Sequence, residues 1–289
     1  MRRASGEVTR YAAFTDTPAG GNPAGVILDA SALSDERMLA IAVEVGDSES
    51  AFLTPRTPSP KPTREYDARY FSVEAEVTFC GHATIASAIA LAERDGPGPL
   101  IFHTRAGEVP VETRFDGDGR LSATLTSVAP AVLPVDAADL QRALEALRWA
   151  AEDLDPSLPP RIGYAGARHL ILAARTRERL AELDYDFESL KGLMLENELT
   201  TVALVWREDD RTFHARNPFP VGGVVEDPAT GAAAAAFGGY LRELGAVTPP
   251  ITITIYQGQD MGRPSRLRVD IDDQRPGIAV TGRGVALSG

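Results

Sequence analysis

The run Ala83-Thr84-Ile85-Ala86-Ser87-Ala88 returns as Ala229-Thr230-Gly231-Ala232-Ala233-Ala234, 146 residues further along a chain of 289. Each copy follows a strand-and-turn pattern and leads a helix made mainly of alanine. A helix of small apolar residues has no polar face to give to water, so it must be enclosed. Two such helices half a chain apart predict two similar α+β halves, each wrapping a sheet around a central helix. Chance recurrence of Ala-Thr-x-Ala in an alanine-rich chain is the competing reading. A junction at Ala129 to Pro134 divides the chain into residues 1–128, expected to be joined by a C-terminal strand at 278–289, and residues 129–277.

Local patterns fill in the halves. Strands are expected at Glu7 to Phe14, Ala24 to Leu28, Ser50 to Leu53, Tyr66 to Ser72, Leu100 to Thr104, Glu108 to Arg114 and Leu121 to Leu125. Ser34 is placed to cap a helix that Gly46 stops. Thr54 to Thr63 holds four prolines and reads as a loop. In the second half, Asp136 to Ala150 is an amphipathic helix, and Thr176 caps a short helix through Leu183. Strands follow at His169 to Ala173, Thr201 to Trp206, Thr212 to Arg216, Ile251 to Gln257, Leu267 to Ile271 and Ile278 to Ala286.

Composition narrows the functions. A hydrophobic share of 44% with 24% charged residues is that of a globular protein. The net charge of −12 argues against a nucleic-acid partner, which needs a concentrated basic face. No run approaches the roughly 20 apolar residues of a membrane span, and Met1-Arg2-Arg3-Ala4-Ser5-Gly6 lacks the apolar stretch of a signal peptide. The single cysteine, Cys80, excludes an internal disulfide framework and a cysteine-rich zinc site. His82, His103, His169 and His214 show no metal-binding spacing. A cytoplasmic protein without a structural metal is expected.

The chemistry is expected at the two alanine-rich helix starts, because the unpaired N–H groups and positive dipole end of a helix attract carboxylates. Gly81 and Gly231 have no side chain to hold a ligand away from the backbone. Asp227-Pro228 reads as an N-cap followed by proline in the first turn, so Asp227 is either a cap or a functional group. His82 is likewise either a polar cap or a proton carrier. Glu49 stands between a helix end and an apolar strand, where a partly buried carboxylate suits proton transfer near neutral pH. A solvated surface glutamate is the alternative.

Five motifs carry a resemblance: Gly21-Asn22-Pro23-Ala24, Ser48-Glu49-Ser50-Ala51-Phe52, Phe79-Cys80-Gly81-His82-Ala83-Thr84, Val225-Glu226-Asp227-Pro228-Ala229-Thr230-Gly231, and Gln257-Gly258 with Gly262-Arg263-Pro264-Ser265. In this order the chain resembles the phenazine-biosynthesis F family, which shares the diaminopimelate epimerase fold. The resemblance implies two pseudo-symmetric α+β domains, each a mixed β-sheet curled around a central helix, with an active site between them. It implies a cofactor-free, metal-free isomerase, commonly a homodimer, that moves a proton between carbons of a small carboxylic acid. Glu49, His82 and Asp227 match its catalytic residues. Asn22, Ser48, Cys80, Gly81, Thr230, Gly231 and Ala232 fall where substrate is held.

Departures from the pattern keep alternatives open. Epimerases of this fold use two cysteines; Cys80 occupies the first position, but Pro228 falls at the second, which excludes a symmetrical two-thiol racemase. An epimerase pairing Cys80 with Glu49 or Asp227 stays open, since a helix start favours a thiolate. So does Cys80 as a buried filler. A homologue that binds small acids without catalysis is the remaining reading, against which the retention of Glu49, His82 and Asp227 speaks.

Overall fold

The computed structural model describes residues 6–56 and 63–288. The basic start before Gly6 and the part of the proline-rich loop at 57–62 lie outside the described residues. In chain order the elements are β1 (Val8–Ala13), β2 (Asn22–Ile27), α1 (Asp35–Val45), β3 (Ser50–Pro55), β4 (Arg64–Phe71), β5 (Glu76–Val77), α2 (Gly81–Asp95), β6 (Gly98–Thr104), β7 (Gly107–Phe115) and β8 (Leu121–Thr126). They continue as β9 (Ala131–Leu133), α3 (Ala137–Leu147), β10 (Arg161–Tyr164), β11 (Arg168–Ala173), α4 (Arg177–Ala181), α5 (Phe187–Glu196), β12 (Leu199–Arg207), β13 (Thr212–Phe219), β14 (Val224–Asp227), α6 (Gly231–Glu243), β15 (Ile251–Gln257), β16 (Ser265–Ile271) and β17 (Ala279–Leu287). The fold is mixed α/β and dominated by sheet. Two units divide the chain: one takes the described residues up to Thr126 and those from Thr281 onward, the other Ser127–Val280.

In the first unit the strand pairings run in a ring. β17 pairs antiparallel with β1, β1 with β2, β2 parallel with β3, β3 antiparallel with β4, β4 parallel with β6, and β6 and β7 antiparallel with β7 and β8. β8 returns to β17, where the Thr124 and Thr281 hydroxyls bond at 2.7 Å. α2 is enclosed by this barrel-like sheet and packs on β1, β2, β3, β7 and β8. From His82 to Ala92 every residue of α2 is buried, which explains why the helix carries so little polarity. α1 covers another face through Met38, Ile41 and Ala42, packed against Ile27, Phe52 and Phe71. Its N-cap is Ser34, whose hydroxyl accepts from Arg37 N–H at 3.3 Å, and Gly46 ends it with φ +72°.

In the second unit β9 pairs antiparallel with β10 and β10 with β11; β11 runs parallel to β12, β12 antiparallel to β13, β13 parallel to β15 and β15 antiparallel to β16. β14 is a short antiparallel partner of β13. α6 packs on β9, β10, β11 and β16, and α3 and α5 cover the opposite layer through Leu144, Leu147, Leu190 and Met194. α5 and the short strands β9, β10 and β14 escape the sequence reading. The helix expected over Asp136 to Ala150 is present as α3, capped by Asp136 and turned off at Arg148, in the left-handed conformation. α4, capped by Thr176, stops at Ala181 rather than Leu183, whose side chain instead packs against the core.

Candidate active site

Ser48 and Glu49 fill the short link between the end of α1 and β3. The preceding Asp47 is buried and clamped by Arg10 of β1, whose guanidinium donates to its two carboxylate oxygens at 3.0 and 2.5 Å. A two-point clamp of this kind restricts the link from its N-terminal side, and Ser50 fixes the other side by entering β3. Glu49 is therefore held at a defined place although its side chain keeps 14% exposure.

The start of α2 meets this link. Cys80 is the N-cap, with extended backbone and no side-chain capping bond, so His82 lies inside the first turn and is not the cap. Thr84 braces the turn from below: its hydroxyl donates to the Cys80 carbonyl at 2.7 Å and accepts from buried Tyr70, also at 2.7 Å. His82 Nε2 stands 3.5 Å from Glu49 Oε2 and 3.5 Å from Ser48 Oγ, and Nδ1 lies 3.3 Å from Cys80 Sγ. Histidines that look scattered along the sequence thus include one gathered with a carboxylate and a thiol. Among the described residues, Glu49, Cys80 and His82 present one donor atom each within 4.8 Å of one another. Asn22, at the start of β2, is buried in the same unit.

The second unit carries its own polar cluster at the start of α6. Of the two readings of Asp227, the cap is excluded: Thr230 is the N-cap. Asp227 is still paired with Asn217 in the sheet, so the helix cannot begin until the chain has turned through Pro228 and Ala229. The Asp227 carboxylate accepts from the Thr230 hydroxyl. Buried Gln257 completes the turn, accepting from Thr230 N–H at 3.1 Å and donating to the Asp227 carbonyl at 2.7 Å. Gly231 is buried and Ala232 partly exposed. Next to this turn Arg216 and Glu226 form a buried ion pair. His169 and Thr201 join at 2.8 Å, and Thr201 donates on to Asn217 at 3.0 Å.

Gln257 and Tyr70 are the residues that sequence reasoning passed over. Gln257 lies in a quoted motif that assigns it no role, and Tyr70 falls within an expected strand. The usable signal was a polar or hydroxylated side chain at an inward position of an apolar strand, where it needs a buried partner.

The sequence matches the family model PhzC-PhzF, described as phenazine biosynthesis-like protein, over residues 11–289. The chain belongs to the PhzC-PhzF family. The trans-2,3-dihydro-3-hydroxyanthranilate isomerase of Pseudomonas chlororaphis is 31% identical, with 95% of each chain covered. A crystal structure of the Bacillus anthracis PhzF-family phenazine biosynthesis protein superimposes with a TM-score of 0.83 at 26% identity, covering 97% of this chain and 96% of that one. A hydroxyproline epimerase from Agrobacterium vitis shares the fold, with a TM-score of 0.65 at 13% identity over 97% of this chain and 90% of that one. PhzC-PhzF relatives are named as isomerases, and this chain is an isomerase. Among its described residues no helix is long and apolar enough to cross a membrane.

Proposed function

We propose that this isomerase moves a proton between carbons of a small carboxylic acid, with Glu49 taking and returning the proton, without cofactor or metal. The observation that carries the reading is the position of Glu49, restrained by the Arg10–Asp47 clamp and 3.5 Å from His82 Nε2 at a helix start where the N-cap Cys80 makes no side-chain capping bond. The N–H groups and dipole at the start of α2 favour a substrate carboxylate, worth roughly 0.3–1 kcal/mol and more where water is excluded. Gly81 leaves that backbone open. His82, itself approached by the Ser48 hydroxyl, orients the Glu49 carboxylate, and Asn22 and Cys80 supply contacts.

Asp227, Thr230, Gly231 and Ala232 are proposed as the matching contacts in the second unit, with Asp227 in the catalytic set. The identical succession of parallel and antiparallel pairings from β1 to β7 and from β10 to β16 supports a pseudo-symmetric pair of domains. A homodimer, proposed from the family pattern, is tested by light scattering. A cytoplasmic location is part of the same reading.

The test is solvent-deuterium incorporation into trans-2,3-dihydro-3-hydroxyanthranilate and a panel of small cyclic and amino acids. A positioned acid/base group contributes about 10²–10⁴-fold, so Glu49→Gln is expected to lose at least about a hundredfold in turnover while melting at the parent temperature. A fully active Gln variant overturns the assignment. The 3.3 Å approach of Cys80 Sγ to His82 Nδ1 favours a second reading, an epimerase in which Cys80 works with a carboxylate, Glu49 or Asp227. Exchange at a stereocentre that stops on thiol alkylation or in Cys80→Ala selects it.

A further inference from the structure

We infer that Glu49, Cys80 and His82 form a binding site for a divalent transition-metal ion of the zinc or cobalt type, and that its occupation switches the isomerase off. The binding rests on geometry alone; the switching rests on the role of Glu49 proposed above.

The donor set is the first argument. A thiol, an imidazole and a carboxylate converge within 4.8 Å, on a chain with a single cysteine. Sulfur and imidazole nitrogen select zinc, cobalt and similar ions over magnesium or calcium, which require oxygen shells. The spacing is the second. A tetrahedral zinc ion with bonds of about 2.0–2.3 Å separates neighbouring donors by about 3.4–3.6 Å. Here the His82 Nε2 to Glu49 Oε2 distance is 3.5 Å and the Cys80 Sγ to His82 Nε2 distance is 3.8 Å. Only the first of these is an edge of the tetrahedron; the sulfur lies beside both ring nitrogens, 3.3 Å from Nδ1, and a turn of the imidazole aims a lone pair at an ion shared with it. The edge between sulfur and carboxylate closes by rotation of the Glu49 side chain, the most exposed of the three.

Burial is the third argument. His82 and Cys80 are buried at 5% and 7% exposure, while Glu49 reaches solvent. Two ligands are shielded from solvent and the third guards an open side, so an ion enters past Glu49 and keeps a water at its fourth position. Cys80 binds as a thiolate, its proton passing to solvent. Glu49 then spends its lone pair on the metal and can no longer accept a substrate proton.

The experiment is titration of the reduced full-length protein with Co²⁺. The expected result is one ion per chain, a near-ultraviolet thiolate-to-cobalt charge-transfer band, visible bands of tetrahedral intensity, and displacement of both by Zn²⁺. Loss of a mere supporting residue typically costs 10–100-fold in metal affinity, so Cys80→Ser, His82→Gln and Glu49→Gln are each expected to weaken binding by about tenfold or more. Circular dichroism checks that each variant is folded. Absence of the bands, or affinity unchanged in His82→Gln and Glu49→Gln, overturns the site and leaves only a thiol that captures metal. In parallel, Zn²⁺ is expected to stop deuterium exchange and a chelator to restore it. Exchange that continues at full rate on the zinc-loaded protein overturns the switching. Full exchange activity in Glu49→Gln, on a parent protein that gives the three-residue cobalt spectrum, upholds the site and refutes the acid/base role of Glu49, so the two failures are separable.

Discussion

Gln257 grips Thr230 at two points: its side-chain oxygen accepts from the Thr230 N–H at 3.1 Å, and its amide nitrogen donates to the Thr230 hydroxyl at 3.0 Å. The same nitrogen reaches the Asp227 carbonyl. Gln257→Leu strips these partners from a buried turn and is expected to destabilise the fold by roughly 2–4 kcal/mol in urea unfolding. Gln257→Glu turns the donor that faces the Asp227 carbonyl into an acceptor and buries a charge there, and is expected to cost at least as much in neutral buffer as Gln257→Leu. Equal stability of the leucine variant and the parent excludes the grip.

Gly258 and Gly262 both adopt left-handed backbone, at φ +75° and +78°, yet differ in surroundings. A Cβ at Gly258 would sit 2.3 Å from the Arg263 carbonyl oxygen and 2.7 Å from that of Pro228; at Gly262 it would meet nothing within 4 Å. Gly262→Ala is expected to cost only the backbone penalty, about 1–2 kcal/mol. Gly258→Ala adds a collision with backbone and is expected to exceed about 3 kcal/mol. Paired thermal melts check the difference.

Burial pulls the His169 imidazole down from its ordinary 6.5 to about 3. In the folded chain it stays neutral across a range in which the unfolded chain protonates. Protons therefore favour unfolding between about pH 6.5 and 3. His169 costs nothing above that window, and stability falls as pH drops through it, by up to about 1.4 kcal/mol per unit. Urea unfolding at pH 7 and pH 5 is expected to show a steeper loss for the parent than for His169→Asn. Parallel slopes would show that His169 protonates freely in the fold.

Arg216 and Glu226 are nearly inaccessible partners, with side chains 9% and 3% exposed. Arg216→Met leaves the Glu226 carboxylate buried without its cation and is expected to cost about 3–5 kcal/mol. Replacing both by apolar residues of similar size is expected to cost less than that single change. A double variant less stable than Arg216→Met, by urea denaturation, contradicts this.

Much of this was legible because local rules and packing agreed. Ser34, Gly46, Asp136 and Thr176 cap or stop helices as their chemistry demands. The alanine-rich α2 and α6 announced their burial. Motif resemblance, rather than periodicity, singled out Glu49 and Asp227. What escaped depends on contacts distant in sequence: α5 is held by packing on α3, and the cap of α6 moved to Thr230 because Asn217 keeps Asp227 in the sheet. The meeting of His82 with Glu49 joins residues from a helix start and an inter-element link, a proximity no spacing rule encodes.

The ring of strands in the first unit closes only when β17 settles between β1 and β8, with Arg283 tied to Asp16, Asp116 and Asp118. During synthesis a ribosome therefore presents every other strand of that unit, and the whole of the second, before the closing piece emerges. The half bearing Glu49 must wait with an open seam beside β1, and removing residues 279–287 should leave that seam permanently available to foreign strands.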